Sequence, residues 1–434
     1  MPYSQLSFLS ARNSLAQRLN DPNKIYWTDA ELKLYVADAL RFYNCLTGDN
    51  KQKYPLSIPV SNPVWFDLQT ISGSPRQATF TDQNIYLRLT YQLLEPPSST
   101  AVIASNQFSQ DDLVQAVQRK RDEFLFKTGC TSVVETLPVT PNVSTIVLPQ
   151  NVSQARRGYW LPNSGTAFPV FKTDEFATSC FAPQDAFSPG QPRSFSAGVE
   201  PPLSLELVPP PDRAGTLECL AIESQGVLSP AQATTLLLPS DFAPALTWGS
   251  LADLLSSGME KQDLPRAQYA RQRFDEYVQL MGAYPFVFSS KVNGVPLAVD
   301  AVESLDAFSP AWRTTVANPL NLGLSGQNLV AFPTNQAMQI VLLLCANAAI
   351  PVVDGDFIQD DAATLDCLLD EAQSIAVCKM GGVEAAQAAD LHGNIIKLAA
   401  ERRSKIRAMS CFSDILYGRT QRENQMAPME SVAE

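Results

Sequence analysis

At 434 residues the chain exceeds what one hydrophobic core usually supports, so two or three packed units are expected. Hydrophobic residues at 45%, charged residues at 18%, and 32 prolines beside 20 glycines argue against a disordered or fibrous chain and for many short strands and turns. The formal net charge of -12 repels free nucleic acid, which argues against a sequence-specific DNA binder.

The N-terminal residues 4–19 present Leu6, Leu9, Leu15 and Leu19 at helical spacing, and the Asn20-Asp21-Pro22 turn separates them from a second helix over residues 29–46. That second helix has a clear start: Thr28 is followed three residues later by Glu31, a capping box, and Leu32, Tyr35, Val36, Ala39, Leu40 and Tyr43 form its apolar face. A Pro-rich strand region follows Tyr54, then a helix over residues 84–94 and a break at Pro96-Pro97-Ser98-Ser99. Ser109 caps the next helix, residues 110–127, whose Leu113, Val117 and Phe124 lie opposite Arg119, Lys120 and Arg121.

Between residues 131 and 224 short β-branched or apolar runs alternate with Pro, Gly and Asn, at 145–148, 158–161, 169–171, 203–208 and 216–222. Leu203, Leu205 and Leu207 alternate with Ser204 and Glu206, the period of a half-buried strand. A weak internal repeat then emerges. Residues 203–211 lead to a β run at 217–222, to Asp241-Phe242, and to helices at 245–257 and 265–281; residues 329–333 lead to a β run at 339–344, to Asp356-Phe357, and to helices at 362–380 and 383–407. The expected fold class is therefore α+β, with helical hairpins, antiparallel β-rich sandwich-like inserts and an internal duplication. The expected divisions are a helical region with a short β segment at 1–130, a β-rich insert with a hairpin at 131–285, a second such unit at 286–410, and a tail at 411–434.

Groups for catalysis are scarce. His392 is the single histidine and sits in an Ala-rich helical stretch, where a packing or surface role is expected of it. Nucleophile elbow, zincin, P-loop and dinucleotide patterns are missing from the sequence. Eight scattered cysteines (Cys45, Cys130, Cys180, Cys219, Cys345, Cys367, Cys378, Cys411) read as buried thiols of a protein made in a reducing cytoplasm. The start of the chain carries no basic and apolar leader, and no apolar stretch has the length of a membrane span, so no membrane association is expected. Asp354, Asp356, Asp360 and Asp361, with Asp366 and Asp370 a helical turn apart, are read as acids offsetting a helix dipole rather than as calcium ligands. The expectation is a non-enzyme with no catalytic residue, cofactor or metal.

Three segments carry a family resemblance. Residues 26–49, YWTDAELKLYVADALRFYNCLTGD, resemble the opening of head-to-tail adaptor, or neck, proteins of tailed bacteriophages. Residues 202–224 with 238–255 are similar to the β insert and following helix of those proteins, and residues 372–382 to their C-terminal hairpin. The resemblance implies a homo-oligomeric ring, commonly twelve-fold, in the virion beneath the portal protein. Genomic DNA would pass through its channel without sequence-specific binding, and tail or nozzle proteins would lie below. A baseplate or receptor-recognition protein of the tail is the alternative.

The last part of the chain is distinct in charge, since residues 395–422 hold seven basic side chains and two acidic ones. Arg402, Arg403, Lys405 and Arg407, followed by Phe412, Ile415 and Leu416, read as an arm that orders on a partner, and the resemblance implies that this partner is the portal.

Overall fold

The computed structural model describes residues 4–413 except 61–63, 94–107, 164–166, 175, 177–187, 199–202, 225, 230–231, 257–261, 284–286, 309–311, 314–315, 317–320, 333 and 382–383. It gives the backbone alone at 4, 283, 303, 308, 321, 384–386 and 403–413. In chain order the elements are β1 (Ser4–Ser7), α1 (Phe8–Arg18), α2 (Asp29–Thr47), β2 (Lys51–Ile58), β3 (Val64–Asp67), α3 (Asp82–Gln92) and α4 (Gln110–Thr128). Then come β4 (Ser132–Val139), β5 (Thr145–Val147), β6 (Val152–Pro162), β7 (Phe168–Lys172), β8 (Ser194–Ala197), β9 (Ser204–Val208), β10 (Gly215–Glu223), α5 (Pro244–Ser256) and α6 (Leu264–Ala283). The chain ends through β11 (Val287–Val292), β12 (Val295–Ala301), α7 (Val302–Phe308), β13 (Asn321–Ser325), β14 (Asn328–Ala331), β15 (Met338–Cys345), β16 (Phe357–Asp360), α8 (Ala362–Cys378) and α9 (Glu384–Ser413). The fold class is α+β.

Two units form, and they do not follow one another along the chain: Met1–Thr47 joins Ala349–Glu434, while Gly48–Ala348 is the second. In the first unit α2 packs on α8, α8 on α9, and α1 on both α2 and α8, with α9 also against α2. The Asp21 carboxylate accepts from the backbone N–H groups of Ile25, Tyr26 and Trp27, which turns the chain from α1 into α2. Residues 4–7, expected to open the first helix, instead pair antiparallel with β16, and Ser7 then caps α1 by accepting from the N–H of Ser10. Helical spacing of leucines could not show that a strand partner some 350 residues away competes for the same backbone groups.

The second unit contains two seven-stranded sheets, β4-β10-β6-β7-β8-β9-β5 and β2-β15-β11-β12-β13-β14-β3. Counted by chain order within each sheet, both read first, seventh, third, fourth, fifth, sixth, second. The directions agree as well: every neighbouring pair is antiparallel except the fourth with the fifth, β7 with β8 and β12 with β13. A parallel pair needs a crossover, and α7 lies in that of the second sheet.

Every strand of the first sheet sends side chains into one core around Trp160, Phe195, Leu205 and Leu217, and every strand of the second into another around Leu56, Leu322, Ile340 and Leu342. One rolled, barrel-like sheet thus encloses each core, where sandwich-like, antiparallel β-rich inserts had been expected. Alternation along a strand reports one buried face and leaves open whether the cover is a second sheet or the same sheet curling round.

The flanking helices extend the likeness. α1 and α3 have 11 residues each, α2 and α4 have 19 each, and Gly48 and Gly129, both at positive φ, lead into the eight-residue strands β2 and β4. Thr47 and Thr128 end their helices alike, each hydroxyl donating to the carbonyl four residues back, that of Tyr43 at 2.9 Å and of Phe124 at 2.7 Å. The α3–α6 helices pack on one another in the same pairs as α1, α2, α8 and α9. The crossover segments share a pentapeptide, Asp-Ala-Phe-Ser-Pro, at 185–189 and 306–310. An inner module, α3 through α6, is therefore inserted between the second and third strands of an outer module of the same plan.

Candidate functional site

Of the residues proposed for portal docking, Arg402 is described in full. It reaches the Tyr43 hydroxyl of α2, the Asp360 carboxylate at 3.4 Å, and Asp361 and Thr364 at the start of α8. Arg402 thus ties α9 into its own helical unit. Arg403, Lys405, Arg407 and Phe412 lie on α9 where only the backbone is described, and Ile415 and Leu416 lie outside the described residues.

The acids singled out in the sequence are engaged in the same unit. Asp361 caps α8 through the N–H of Thr364 at 2.9 Å, and Asp356 accepts from Val352 and Val353 at 2.7 and 3.0 Å. Asp354 pairs with Arg12, while Asp366 and Asp370 pair with Arg18. Deeper in, Lys379 donates to both oxygens of Glu31 at 2.9 and 3.1 Å, and Tyr35 donates to Glu31 at 2.5 Å. All three are buried, and burial first, then the Glu31 charge, hold the Tyr35 phenol well above its usual range. Glu31 was legible as a member of a capping box, and its N–H does bond Thr28 at 3.3 Å, but its carboxylate serves this cluster. His392 is buried, its Nδ1 2.8 Å from the Glu371 carboxylate and its ring 5.0 Å from that of Phe42. Of the packing and surface roles expected of it, its burial fits the first, and the Glu371 carboxylate is a partner that the sequence did not imply.

In the second unit the outward face of the first sheet lies against α7 and β14. Tyr159, Leu220, Val302, Leu305, Trp312 and Val330 form the apolar part of this contact. Its polar centre is Asp306, which accepts from the Tyr159 hydroxyl and the Trp312 indole, each at 2.7 Å, and pairs with Arg157 at 2.6 Å. Beside it Arg313 forks onto Glu218 at 2.9 and 2.7 Å and lies 3.5 Å from the centre of the Tyr159 ring, and the Trp65 indole donates to Glu218 at 2.6 Å. Burial, then the Asp306 charge, raise the Tyr159 phenol. Such a cluster fixes two surfaces in register, although Nε of Arg157 and Nε of Arg313 are buried without a hydrogen-bond acceptor among the described residues.

No protein-family model and no curated protein matches the chain.

A cleft of about 340 Å³ opens near Gly129, Cys130, Arg156, Val299, Asp300 and Gly326. At Gly326, which lines it, an added Cβ would come 2.9 Å from the Gly129 carbonyl oxygen. The Cys130 thiol is pushed up to about 11 by burial, and burial with the Glu135 charge pushes Cys219 up to about 12. Neither is a nucleophile near neutral pH. Among the described cysteines the half-exposed Cys367 is expected to react first with iodoacetamide under native conditions, with Cys130 and Cys219 modified only on unfolding; peptide mapping by mass spectrometry reads the order.

Proposed function

We propose that the chain is a non-enzymatic structural virion protein of a tailed bacteriophage, a ring-forming head-to-tail adaptor beneath the portal around the DNA channel. We also propose that its inner and outer modules descend from one duplicated unit. The observation that carries the reading is that two modules of one plan meet through unlike faces: the outward sheet face of the inner module against the α7 side of the outer one. A contact between like bodies through unlike faces is heterologous, the kind that repeats head to tail and forms a ring when the rotation closes. The adaptor-like segments at 26–49, 202–224, 238–255 and 372–382 support the same reading, and they fall at α2, at β9 with β10, at α5 and at α8.

The charge distribution fits the role. The net charge of -12 suits a channel wall along which DNA slides, since a basic lining would hold phosphates. In this reading Arg402 roots the basic arm, and Arg403, Lys405, Arg407, Phe412, Ile415 and Leu416 face the portal. Tail or nozzle proteins are the partners below.

Electron microscopy of the purified chain mixed with its portal tests the proposal. Closed rings on the tail-facing side of the portal are expected; labelling at the distal tail tip of virions, or no association with the portal, would overturn it. Truncation after Arg403 keeps the Arg402 contacts, and should leave the melting temperature unchanged while weakening portal binding about tenfold or more, the effect of losing one or more buried apolar anchors.

A further inference from the structure

The contact between the two modules has two halves, and the duplicated plan supplies a counterpart for each. On the inner module the covered surface is the outward face of β10, β4 and β6, with Glu218, Leu220, Val134 and Tyr159. The strand registers fix the matching positions on the outer sheet. Core residues Leu217 and Cys219 correspond to Ile340 and Leu342, and Leu137 and Val139 to Leu56 and Ile58. Glu218 then corresponds to Val341, Leu220 to Leu343, Val134 to Lys53, Thr136 to Pro55 and Tyr159 to Lys291. Among the described residues none covers this face in the same way: Val341 is 41% exposed, and Lys53, Pro55 and Lys291 are exposed around it.

The covering half includes Val330 of β14 and Trp65 of β3, which are register partners. Their counterparts on the inner module are Glu206 of β9 and Thr145 of β5, also register partners, because core residues Leu329 and Phe66 correspond to Leu205 and Ile146. Glu206 and Thr145 are exposed, and Val147 on the same face is 61% exposed.

We propose that the outward face of the outer sheet, centred on Val341 between Lys53 and Lys291, docks the inner module of a second copy of this chain through Glu206, Thr145 and Val147. The contact between chains would repeat the one within the chain, with Glu206 facing the two lysines and Val341 facing Thr145, as Glu218 meets Trp65 within the chain. The inference rests on the ring reading for closure. A closed ring then presents inner and outer modules alternately, with twice as many modules as copies.

Mass photometry and analytical ultracentrifugation of the full chain over a concentration series test the surface. The native chain is expected to assemble, and Val341→Asp and Glu206→Lys each to weaken assembly at least about tenfold. Combining Glu206→Lys with Lys53→Glu and Lys291→Glu should restore it, since the charges are exchanged. Lys53→Cys mixed with Glu206→Cys should form an interchain disulfide on oxidation. Both Val341 and Glu206 are exposed, and an unchanged circular dichroism spectrum checks each fold; if one variant misfolds, the other carries the test. A native chain that stays monomeric throughout, or variants that assemble like the native chain, would overturn the proposal. Assembly lost in the variants without any affinity for portal would instead leave this surface standing and remove the adaptor reading.

Discussion

Asp306→Ala should destabilise the second unit by about 3–5 kcal/mol, the range expected when one member of a buried charged cluster is removed. The Asp306 carboxylate is 3% exposed, accepts hydrogen bonds from the Tyr159 hydroxyl of one module and the Trp312 indole of the other, and is the counter-ion of Arg157. Its loss leaves two buried donors without an acceptor, at about 1–3 kcal/mol each, and one guanidinium without its counter-ion. Asp306→Asn keeps one acceptor oxygen in place and should lose less. Differential scanning calorimetry should show the drop, and faster hydrogen exchange in β6 and β10 should locate it. A change below about 1 kcal/mol for the alanine variant would mean that water replaces the carboxylate and that apolar burial alone joins the sheets.

The later half of the internal repeat was legible because its parts stay in order. Strands at 203–208 and 216–222 and two helices recur as β14, β15 and two helices, but the Asp-Phe pairs are not equivalent: the N–H that opens α1 bonds the Asp356 carbonyl, and the one that opens α3 bonds that of Thr234, not Asp241. The earlier half escaped for a topological reason: the inner module interrupts the outer sheet between β3 and β11, so its second and third strands lie over 200 residues apart. A linear division at 130, 285 and 410 cannot represent one module threaded through another. The pentapeptide at 185–189 and 306–310 was the signal available, but it stands in connections, where periodicity has nothing to report.

Buried charges were harder to read for a different reason. Glu31 and Lys379 are separated by 348 positions, and Glu31 was legible only as a member of a capping box. Asp306 sat unremarked in a short helix, although its partners Arg157 and Tyr159 come from a strand of the other module. Arg402 belonged to a run of basic residues whose local context gave no hint of the Asp360 and Asp361 carboxylates preceding α8. Pattern within a window reports which face is apolar; which charges meet is decided by packing at long range.

The first unit offers the second large effect. Lys379→Met should cost about 3–5 kcal/mol, because it leaves the Glu31 carboxylate, 1% exposed, with the Tyr35 hydroxyl but no cation. The lysine also donates to the Tyr26 carbonyl at 3.3 Å and lies 4.7 Å from the Tyr26 ring, so its loss loosens the α1–α2 connection against α8. Glu31→Leu combined with Lys379→Met removes both charges and fills the space with apolar groups, and this pair should lie much closer to the native chain than either single variant. Urea denaturation followed by circular dichroism, arranged as a double-mutant cycle, gives the coupling energy. Additive losses, with the double variant the least stable of the set, would show that each side chain acts through its own packing and that the ion pair does not hold α2 to α8.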